Sequence, residues 1–401
     1  MNLLQKLAHF ANFCYLFTGI CQIIRFKQFL NTRENPILAR MHNRPVSAVQ
    51  PPFTSSYTPG FPELIHRLGG TLGVTTYQAG KLILLSAPQP NRVVQLPRSL
   101  DKPMGMAVHP DGRRLAVACR NSIQTFANAP ELAANYPKNP QTYDALFLPR
   151  ATFHTGPMDW HDLAWTDAGL FGVNTLFSCL ARIDDQHHFT PVWTPPCITE
   201  LAGEDRCHLN GLAVRDGELA YATAFNLGNS AKSWRTELLG AGVVWDVASS
   251  EVASSGLSMP HSPRWHNHQL WVLQSATGQL GTVDVATGAF HECIRLDRFV
   301  RGLTLVDRYA FVGYSKARTQ SSSFAHLELK TVDQCGIVAV DLQTQQVVGE
   351  MQWENSVDEL FEVHWLTAGK RVNLLTAASE EHHFGVTTPE ATFWAAAASH
   401  Q

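Results

Sequence analysis

Six short segments of this chain begin in the same way, and their spacing limits the fold more than any other feature. Each has a glycine, a small or an acidic residue, then a short apolar run, a turn and a second apolar run. The six lie at residues 105–108, 162–165, 211–214, 262–265, 302–305 and 362–365. Their starts are 57, 49, 51, 40 and 60 residues apart. Repeats of roughly 40–50 residues with several strands each are typical of β-propellers. The chain is therefore predicted to be an all-β, six-bladed β-propeller.

Two consecutive repeats show the four strands that a propeller blade requires. Hairpin turns such as Asp216-Gly217 and Thr287-Gly288 separate alternating apolar runs. The first of these blades has predicted strands at 212–214, 219–224, 242–247 and 251–256, and the next at 263–265, 269–274, 280–285 and 289–296. Strands within 72–96 are expected to complete the last blade with 363–375 and close the ring. If those early strands instead form a blade of their own, the propeller has seven blades.

Composition excludes several classes of function. Charged residues make up 16% of the 401 residues, against about 25% in an average soluble protein. The net charge is −3 and no block of basic residues is present, so a nucleic-acid partner is not expected. The eight cysteines form no C-x-x-C pair and are expected to be free thiols in a reducing compartment. We therefore expect a cytoplasmic location.

The first fifty residues differ from the rest of the chain. The apolar stretch 3–26 is interrupted by charged residues, and its longest uncharged run, 10–24, is shorter than a membrane-spanning helix needs. No transmembrane span is predicted. The segment is either a weak interfacial helix or a stretch upstream of a start at Met41, and the second interpretation is favoured. The predicted organisation is an extension over 1–50, not necessarily part of the mature protein, and a propeller domain over 51–401.

Three long insertions interrupt the blades, at 127–157, 227–240 and 316–335. Long loops on a compact scaffold are usually functional. The first is expected to contain a short helix near 130–136, and the last is predicted to act as a lid.

Aligning the repeats places polar residues in rings around the propeller axis. The residues just before each repeat are Met104, His161, Asn210, His261, Arg301 and Phe361, and those two positions earlier are Lys102, Asp159, His208, Met259, Phe299 and Glu359. Side chains two apart on a strand share a face, so His208 and Asn210 are expected to point the same way. Three histidines and an arginine are thereby predicted to meet at one mouth of the channel.

Clustered imidazoles indicate a metal site. Neutral imidazole suits Zn, Fe or Cu better than Ca, and a catalytic site keeps three protein ligands and an open position. The predicted ligands are His161, His208 and His261, with Asn210 as a fourth ligand or a holder of water. No nucleotide cofactor is expected. The alternative is that each histidine only hydrogen-bonds loop backbone.

Further residues receive predicted roles at the same mouth. Arg301 is expected to bind or polarise substrate, and Glu362 and Asp162 are predicted to be catalytic. Trp160 and Asp159 complete the predicted substrate-binding set. Alternatively, Arg301 is a structural pin, with Asp162 and Glu362 as its partners.

Two resemblances follow from these residues. Asn210-Gly211-Leu212-Ala213 with Asp216-Gly217 resembles the blade motif of the gluconolactonase, regucalcin and paraoxonase superfamily, in which the Asn ligates a divalent metal. Histidines stand at 161 and 261 where those enzymes typically have Asn or Asp, which argues against Ca²⁺ and lactonase activity. Propeller lyases with histidine-rich centres, such as virginiamycin B lyase and the peptide-amidating lyase, are similar in architecture only.

The second resemblance covers nearly all of 53–366. The strings 75–82, 205–212 and 258–265 are similar to a bacterial family of conserved hypothetical proteins, domain of unknown function 4915. This resemblance implies no reaction.

The resulting functional prediction is a metal-dependent lyase or hydrolase that acts on a small anionic molecule or a peptide at the channel mouth. The alternative is a metal-free propeller module that binds a carboxylated ligand or a partner peptide. The sequence does not decide the oligomeric state.

Overall fold

The computed structural model describes residues 50–316, 327, 329 and 333–395, and the described residues from 52 onward form one compact unit. The strands fall into six sheets of four or five strands and one two-stranded ribbon. The sheets are six blades in a ring, so the prediction of a six-bladed propeller is confirmed and the seven-bladed alternative is wrong.

The blades are numbered here by the order in which the chain enters them. Before blade 1 come β1 (Ser55–Tyr57) and the helix α1 (Gly60–Leu68). Blade 1 has β2 (Thr71–Thr76), β3 (Lys81–Gln89) and β4 (Arg92–Ser99). Blade 2 has β5 (Met106–Val108), β6 (Arg114–Ala118), β7 (Ile123–Asn128), the short helix α2 (Pro130–Ala133) and β8 (Ala145–Phe153). Blade 3 has β9 (Trp160–Thr166), β10 (Gly169–Asn174), β11 (Cys179–Arg182) and β12 (Thr190–Trp193).

The second half of the ring repeats this arrangement. Blade 4 has β13 (Leu209–Arg215), β14 (Glu218–Ala224), β15 (Gly242–Asp246) and β16 (Val252–Leu257), with a 3-10 helix at Ser233–Thr236. Blade 5 has β17 (Pro260–His266), β18 (Gln269–Gln274), β19 (Gln279–Val283) and β20 (Phe290–Arg295). Blade 6 has β21 (Phe299–Val306), β22 (Tyr309–Ser315), β23 (Cys335–Asp341) and β24 (Gln346–Trp353). The chain ends with β25 (Glu362–Leu366), β26 (Val372–Leu374), a 3-10 helix at Glu380–His383, and the ribbon of β27 (Gly385–Thr387) and β28 (Thr392–Trp394).

The ring closes by pairing the late strand β25 with the early strand β2. The two are antiparallel, with Val74 opposite Val363 and Leu72 opposite Trp365, so β25 is the innermost strand of blade 1, as predicted. The predicted continuation to residue 375 is wrong, because β26 lies parallel to β8 at the outer edge of blade 2. At the other end, β1 pairs with β24 of blade 6. Both ends of the propeller are thus joined to blades formed by distant parts of the chain.

The glycines that begin several repeats are required by close packing around the channel. A Cβ atom at Gly105 would lie 2.9 Å from the Cα of Asp162, and one at Gly211 would lie 2.3 Å from Cδ of Pro263. Each of these contacts joins one innermost strand to that of the next blade. A side chain at either position would force the strands apart, which explains why the repeat starts with a glycine or a small residue.

The three predicted insertions agree with the structure to different extents. Residues 127–157 contain the predicted short helix, α2, but also β8, so treating the whole segment as a loop was wrong. Residues 227–240 contain the 3-10 helix at Ser233–Thr236. The predicted lid at 316–335 lies largely outside the described residues. No helix among the described residues is long and apolar enough to cross a membrane.

Candidate functional site

A cavity of about 340 Å³ opens at one mouth of the central channel. Its size is within the usual range for small-molecule sites. Of the two rings predicted from the repeats, all positions except Lys102 and Asn210 line it. The lining residues are Tyr77, Met104, Asp159, His161, Asp205, His208, Phe225, Trp234, Arg235, Met259, His261, Phe299, Arg301, Ser315, Lys316, Glu359 and Phe361.

The same backbone conformation recurs at four positions where the chain reaches this cavity. Lys102, Asp159, His208 and Met259 occupy equivalent positions before the innermost strands of blades 2 to 5. Their φ angles are 48°, 52°, 51° and 52°, in the left-handed region that non-glycine residues rarely adopt. The same turn therefore recurs where the chain enters each of these strands.

Each of the three cavity histidines has a hydrogen-bond partner at Nδ1. Nδ1 of His161 lies 3.0 Å from the backbone oxygen of Asp159, and Nδ1 of His208 lies 2.9 Å from Oδ1 of Asp205. Nδ1 of His261 lies 3.2 Å from the backbone oxygen of Met259.

These partners decide which ring nitrogen carries the hydrogen. A carbonyl or carboxylate oxygen only accepts, so the Nδ1 atoms of all three histidines are donors. Oγ of Ser275 lies 2.7 Å from Nδ1 of His261 and also accepts, because its own hydrogen goes to the Val300 oxygen 2.6 Å away. In the neutral ring, Nε2 then carries a lone pair.

Burial keeps two of these rings neutral. It lowers the pKa of His161 well below its usual value, and His208 and Arg301 lower it further. Burial, followed by Arg301 and His208, does the same to the pKa of His261. Both rings are therefore unprotonated at neutral pH, with Nε2 available as an electron-pair donor.

The imidazoles pack against one another and against aromatic rings. The His161 and His208 rings are 4.8 Å apart between centroids and nearly perpendicular. Phe225 packs against both His208, at 4.4 Å, and His261, at 5.0 Å. Trp234 packs on His208 at 4.3 Å and donates its indole hydrogen to Asp205 over 3.0 Å.

The three imidazoles are farther apart than metal ligands in a loaded site. Within the described part of the chain, the only three His, Cys, Asp or Glu residues whose ligand atoms all lie within 4.8 Å of one another are Asp162, Glu362 and His364. The predicted ligands His161 and His208 are brought to one cavity with His261, but not within that distance of one another as a trio.

Arg301 supplies positive charge to the cavity wall. Its guanidinium carbon lies 3.5 Å from the centroid of the Phe361 ring, and Nη1 lies 3.8 Å from Oε1 of Glu359. Such a planar, stacked guanidinium is well suited to recognising a carboxylate. Asp162 and Glu362, the partners of Arg301 in the structural-pin alternative, bind Arg264.

Asp162 and Glu362 belong to a buried cluster that does not line the cavity. Arg264 Nη1 lies 2.8 Å from Oδ2 of Asp162, and Nη2 lies 3.1 Å from Oε1 of Glu362. Backbone amides donate to the same carboxylates, from Leu212 to Asp162 and from Leu303 to Glu362. Both acids that were predicted to be catalytic are therefore bound to Arg264 and to backbone amides.

The buried charges perturb one another. Burial raises the pKa of Glu362 to about 7 despite the opposing Arg264, and Asp162 raises it further. Burial also raises the pKa of Asp162 against the effect of Arg264. One guanidinium is therefore shared between two carboxyl groups that resist simultaneous ionisation.

Two predicted site residues, Asn210 and Trp160, form hydrogen bonds outside the cavity. Asn210 donates from Nδ2 to the His208 oxygen over 3.1 Å, and its Oδ1 accepts from Oγ1 of Thr223 over 2.8 Å. Trp160, predicted to bind substrate, is fully buried, with its indole hydrogen donated to Oγ1 of Thr155. Neither residue lines the cavity.

Several lining residues escaped the sequence analysis. Tyr77 and Phe225 directly follow β2 and β14, and Ser315 ends β22. Each of these strands pairs with an innermost strand and returns to the mouth. The residue at the end of each second strand is the signal that could have found them. Trp234 and Arg235 come from the insertion 227–240, whose fold the repeat pattern did not specify.

Comparisons with known proteins were made on the sequence and on the fold. No curated protein matches the sequence. A chain of a nidogen/laminin complex is 12% identical, over 75% of this chain and 99% of that one, with a TM-score of 0.48. A protein of unknown function from Bacteroides caccae is 6% identical over the same shares, with a TM-score of 0.47. The family model described as a domain of unknown function (DUF4915) matches residues 59–375.

Proposed function

The chain belongs to the DUF4915 family, and we propose that it is a metal-dependent enzyme of the lyase or hydrolase type. The proposed ligands are the Nε2 atoms of His161, His208 and His261. The substrate is a small anionic molecule or a peptide bearing a carboxylate. Zn, Fe or Cu suits an all-imidazole set better than Ca.

The observation that carries this proposal is the shared hydrogen bonding of the three rings. Each Nδ1 donates to an oxygen, so in the neutral ring each Nε2 carries a lone pair rather than a hydrogen. Metal-binding histidines almost always have such a partner on the other nitrogen, which fixes the ring and its tautomer. A carboxylate ligand would be repelled by three lone pairs, whereas a cation would be attracted.

Metal binding on this proposal draws the rings together. Nitrogen ligands lie about 2.0–2.1 Å from Zn, which brings them closer to one another than the 4.8 Å that the trio exceeds. We expect the His208 ring to move most, because it is held by side chains, Asp205 and Trp234, and not by a backbone oxygen.

The remaining residues define the substrate and its orientation. A bound metal would supply a water of lowered pKa or polarise a substrate oxygen. Arg301 would bind the substrate carboxylate through its forked donors. Met104, Met259 and Phe299 line the same cavity and would hold an apolar part of the substrate away from water.

A second candidate function is the metal-free binding module. The spacing of the three imidazoles favours it, as does the position of Phe225 against both His208 and His261. In that case Arg301 anchors a carboxylated ligand, and the imidazoles accept hydrogen bonds from its hydroxyl or amine groups.

Metal titration of the full chain distinguishes the two. We expect close to one equivalent of Zn²⁺ or Co²⁺ to bind after chelator treatment. Binding should weaken at least tenfold in His161→Ala, His208→Ala and His261→Ala. His188→Ala, at an exposed histidine, is the matched control and should bind like the parent. Circular dichroism and urea unfolding check that each variant is folded.

Failure of the folded parent to bind any first-row divalent metal would overturn the enzyme proposal. The binding module would then be tested by titrating small carboxylates against the parent and Arg301→Ala.

A further inference from the structure

We infer that Arg264 is a positioning residue that sets the arrangement of the cavity side chains. Arg264 does not line the cavity, but it lies on the strand that carries His261 and contacts the innermost strands that carry His161 and Arg301. The expected effect of Arg264 on metal affinity rests on the proposed function. Its effect on the positions of the imidazoles can be tested separately.

Arg264 contacts the innermost strands of four other blades from its own place on β17. Its guanidinium pairs with Asp162 on β9 and with Glu362 on β25. Nη1 also donates to the Leu212 oxygen on β13 and Nε to the Leu303 oxygen on β21, both over 3.2 Å. One side chain thus joins blades 1, 3, 4, 5 and 6.

The residues it holds are immediate neighbours of cavity residues. Asp162 follows His161, and Glu362 follows Phe361, whose ring carries the Arg301 guanidinium. A further bond extends the network, because Ser262, next to His261, accepts from the Gly302 amide over 3.1 Å. A displacement of the guanidinium is therefore transmitted to the cavity through one peptide unit.

The chemistry of this cluster suits positioning better than stabilisation. A buried ion pair is often no more stabilising than a well-packed apolar replacement, since both charges lose their hydration. The guanidinium, however, has five donors in a rigid fork, and so it imposes directions that lysine cannot reproduce. Sites that bind metals or transition states lose function when their groups shift by about 1 Å.

The test compares Arg264→Lys with Arg298→Lys. Arg298 is a matched control, because it is about as buried, pairs with Glu350 at 2.5 Å and stacks on Tyr314 within blade 6. Three properties are measured on the full chain: urea unfolding, Co²⁺ affinity with its visible spectrum, and the ¹H–¹⁵N NMR signals of the imidazoles without metal. The imidazole signals are assigned with the His161→Ala and His261→Ala variants.

We expect Arg264→Lys to fold, to bind Co²⁺ ten- to a hundredfold more weakly with an altered spectrum, and to shift the His161 and His261 signals. Arg298→Lys should leave all of these as in the parent. If Arg264→Lys does not fold, Asp162→Asn replaces it, since it keeps the size of the side chain and weakens one contact of Arg264. The same shifts and weaker binding are expected there.

The inference is overturned if a folded Arg264→Lys or Asp162→Asn keeps the parent's imidazole signals. It is equally overturned if Arg298→Lys shifts those signals as much as Arg264→Lys. Absence of Co²⁺ binding in the parent would contradict the proposed function alone, because the metal-free imidazole signals would still decide the role of Arg264.

Discussion

At the residue scale, His208 is held differently from the other two cavity histidines. Its Nδ1 donates to the Asp205 carboxylate, whereas His161 and His261 donate to backbone oxygens. Asp205 also accepts from Trp234 over 3.0 Å, so one carboxylate fixes two rings of the cavity wall. Removal of the Asp205 carboxylate should therefore disturb the His208 ring without moving the strands.

Asp205→Asn tests this role. The neutral amide is a weaker acceptor and cannot hold both rings as the carboxylate does. Loss of such a partner typically weakens metal binding 10- to 100-fold, and we expect Zn²⁺ affinity to fall by about tenfold. Titration of chelator-treated protein measures it, with the exposed Asp185→Asn as the control. Unchanged affinity in a folded Asp205→Asn would show that His208 does not depend on this contact.

Residues also show where strand alternation misled the sequence analysis. It predicted that His208 and Asn210 point the same way. The pairing of β13 with β14 shifts register between Leu209 and Gly211, so the two-residue period is interrupted at that point. His208 reaches the cavity, while the Asn210 amide turns to Thr223 on the neighbouring strand. A register shift of this kind leaves no reliable mark in a single sequence.

At the element scale, regular apolar alternation was the reliable signal. The predicted strand 269–274 coincides with β18, and the neighbouring strands differ by a few residues at their ends. The strand β8 was taken for part of an insertion; it contains Pro149, and residues 150–152 after it are exposed. Its pairing with β26, from the far end of the chain, could not be foreseen from the local pattern.

The helix α1 gives a test of how elements outside the blades contribute. Phe61 is fully buried and meets Phe311 edge-on at 6.3 Å, in the core shared by blades 1 and 6. Phe61→Ala leaves a cavity and should lower the free energy of unfolding by about 3–5 kcal/mol. Urea unfolding measures the change. Phe393→Ala, at a half-exposed phenylalanine, should cost far less, and equal losses in both variants would contradict this account.

At the scale of the whole molecule, the repeats predicted the ring of blades but not the ion pairs that join blades across the channel. Spacing alone places the innermost strands around one axis, and the cavity rings follow from that. Arg264 and Asp162, in contrast, are 102 residues apart, and nothing in the repeat pattern assigns the partner of either. The sequence therefore predicted which residues surround the channel, whereas the charge pairs inside it could be identified only from the structure.

The buried titratable groups also make the stability of the whole propeller depend on pH. Burial lowers the pKa values of His161, His261 and His364. Below about pH 6.5 the unfolded chain binds protons at these histidines that the folded one does not, so their contribution to stability is lost on acidification. Glu362 acts in the opposite sense. Its pKa is raised to about 7, so the folded state holds a proton that the unfolded chain releases above about pH 4.5.

The three histidines outnumber Glu362 and Asp162, whose pKa values burial raises, so chelator-treated protein should be less stable at pH 5.5 than at pH 7. Glu362→Gln removes the Glu362 part of the opposing contribution, so its stability should fall more steeply with acidification, by at most about 1.4 kcal/mol per pH unit. Urea unfolding at both pH values measures this, with the exposed Glu218→Gln as the control. A slope in Glu362→Gln equal to or shallower than that of the parent would show that Glu362 holds no proton in the folded state.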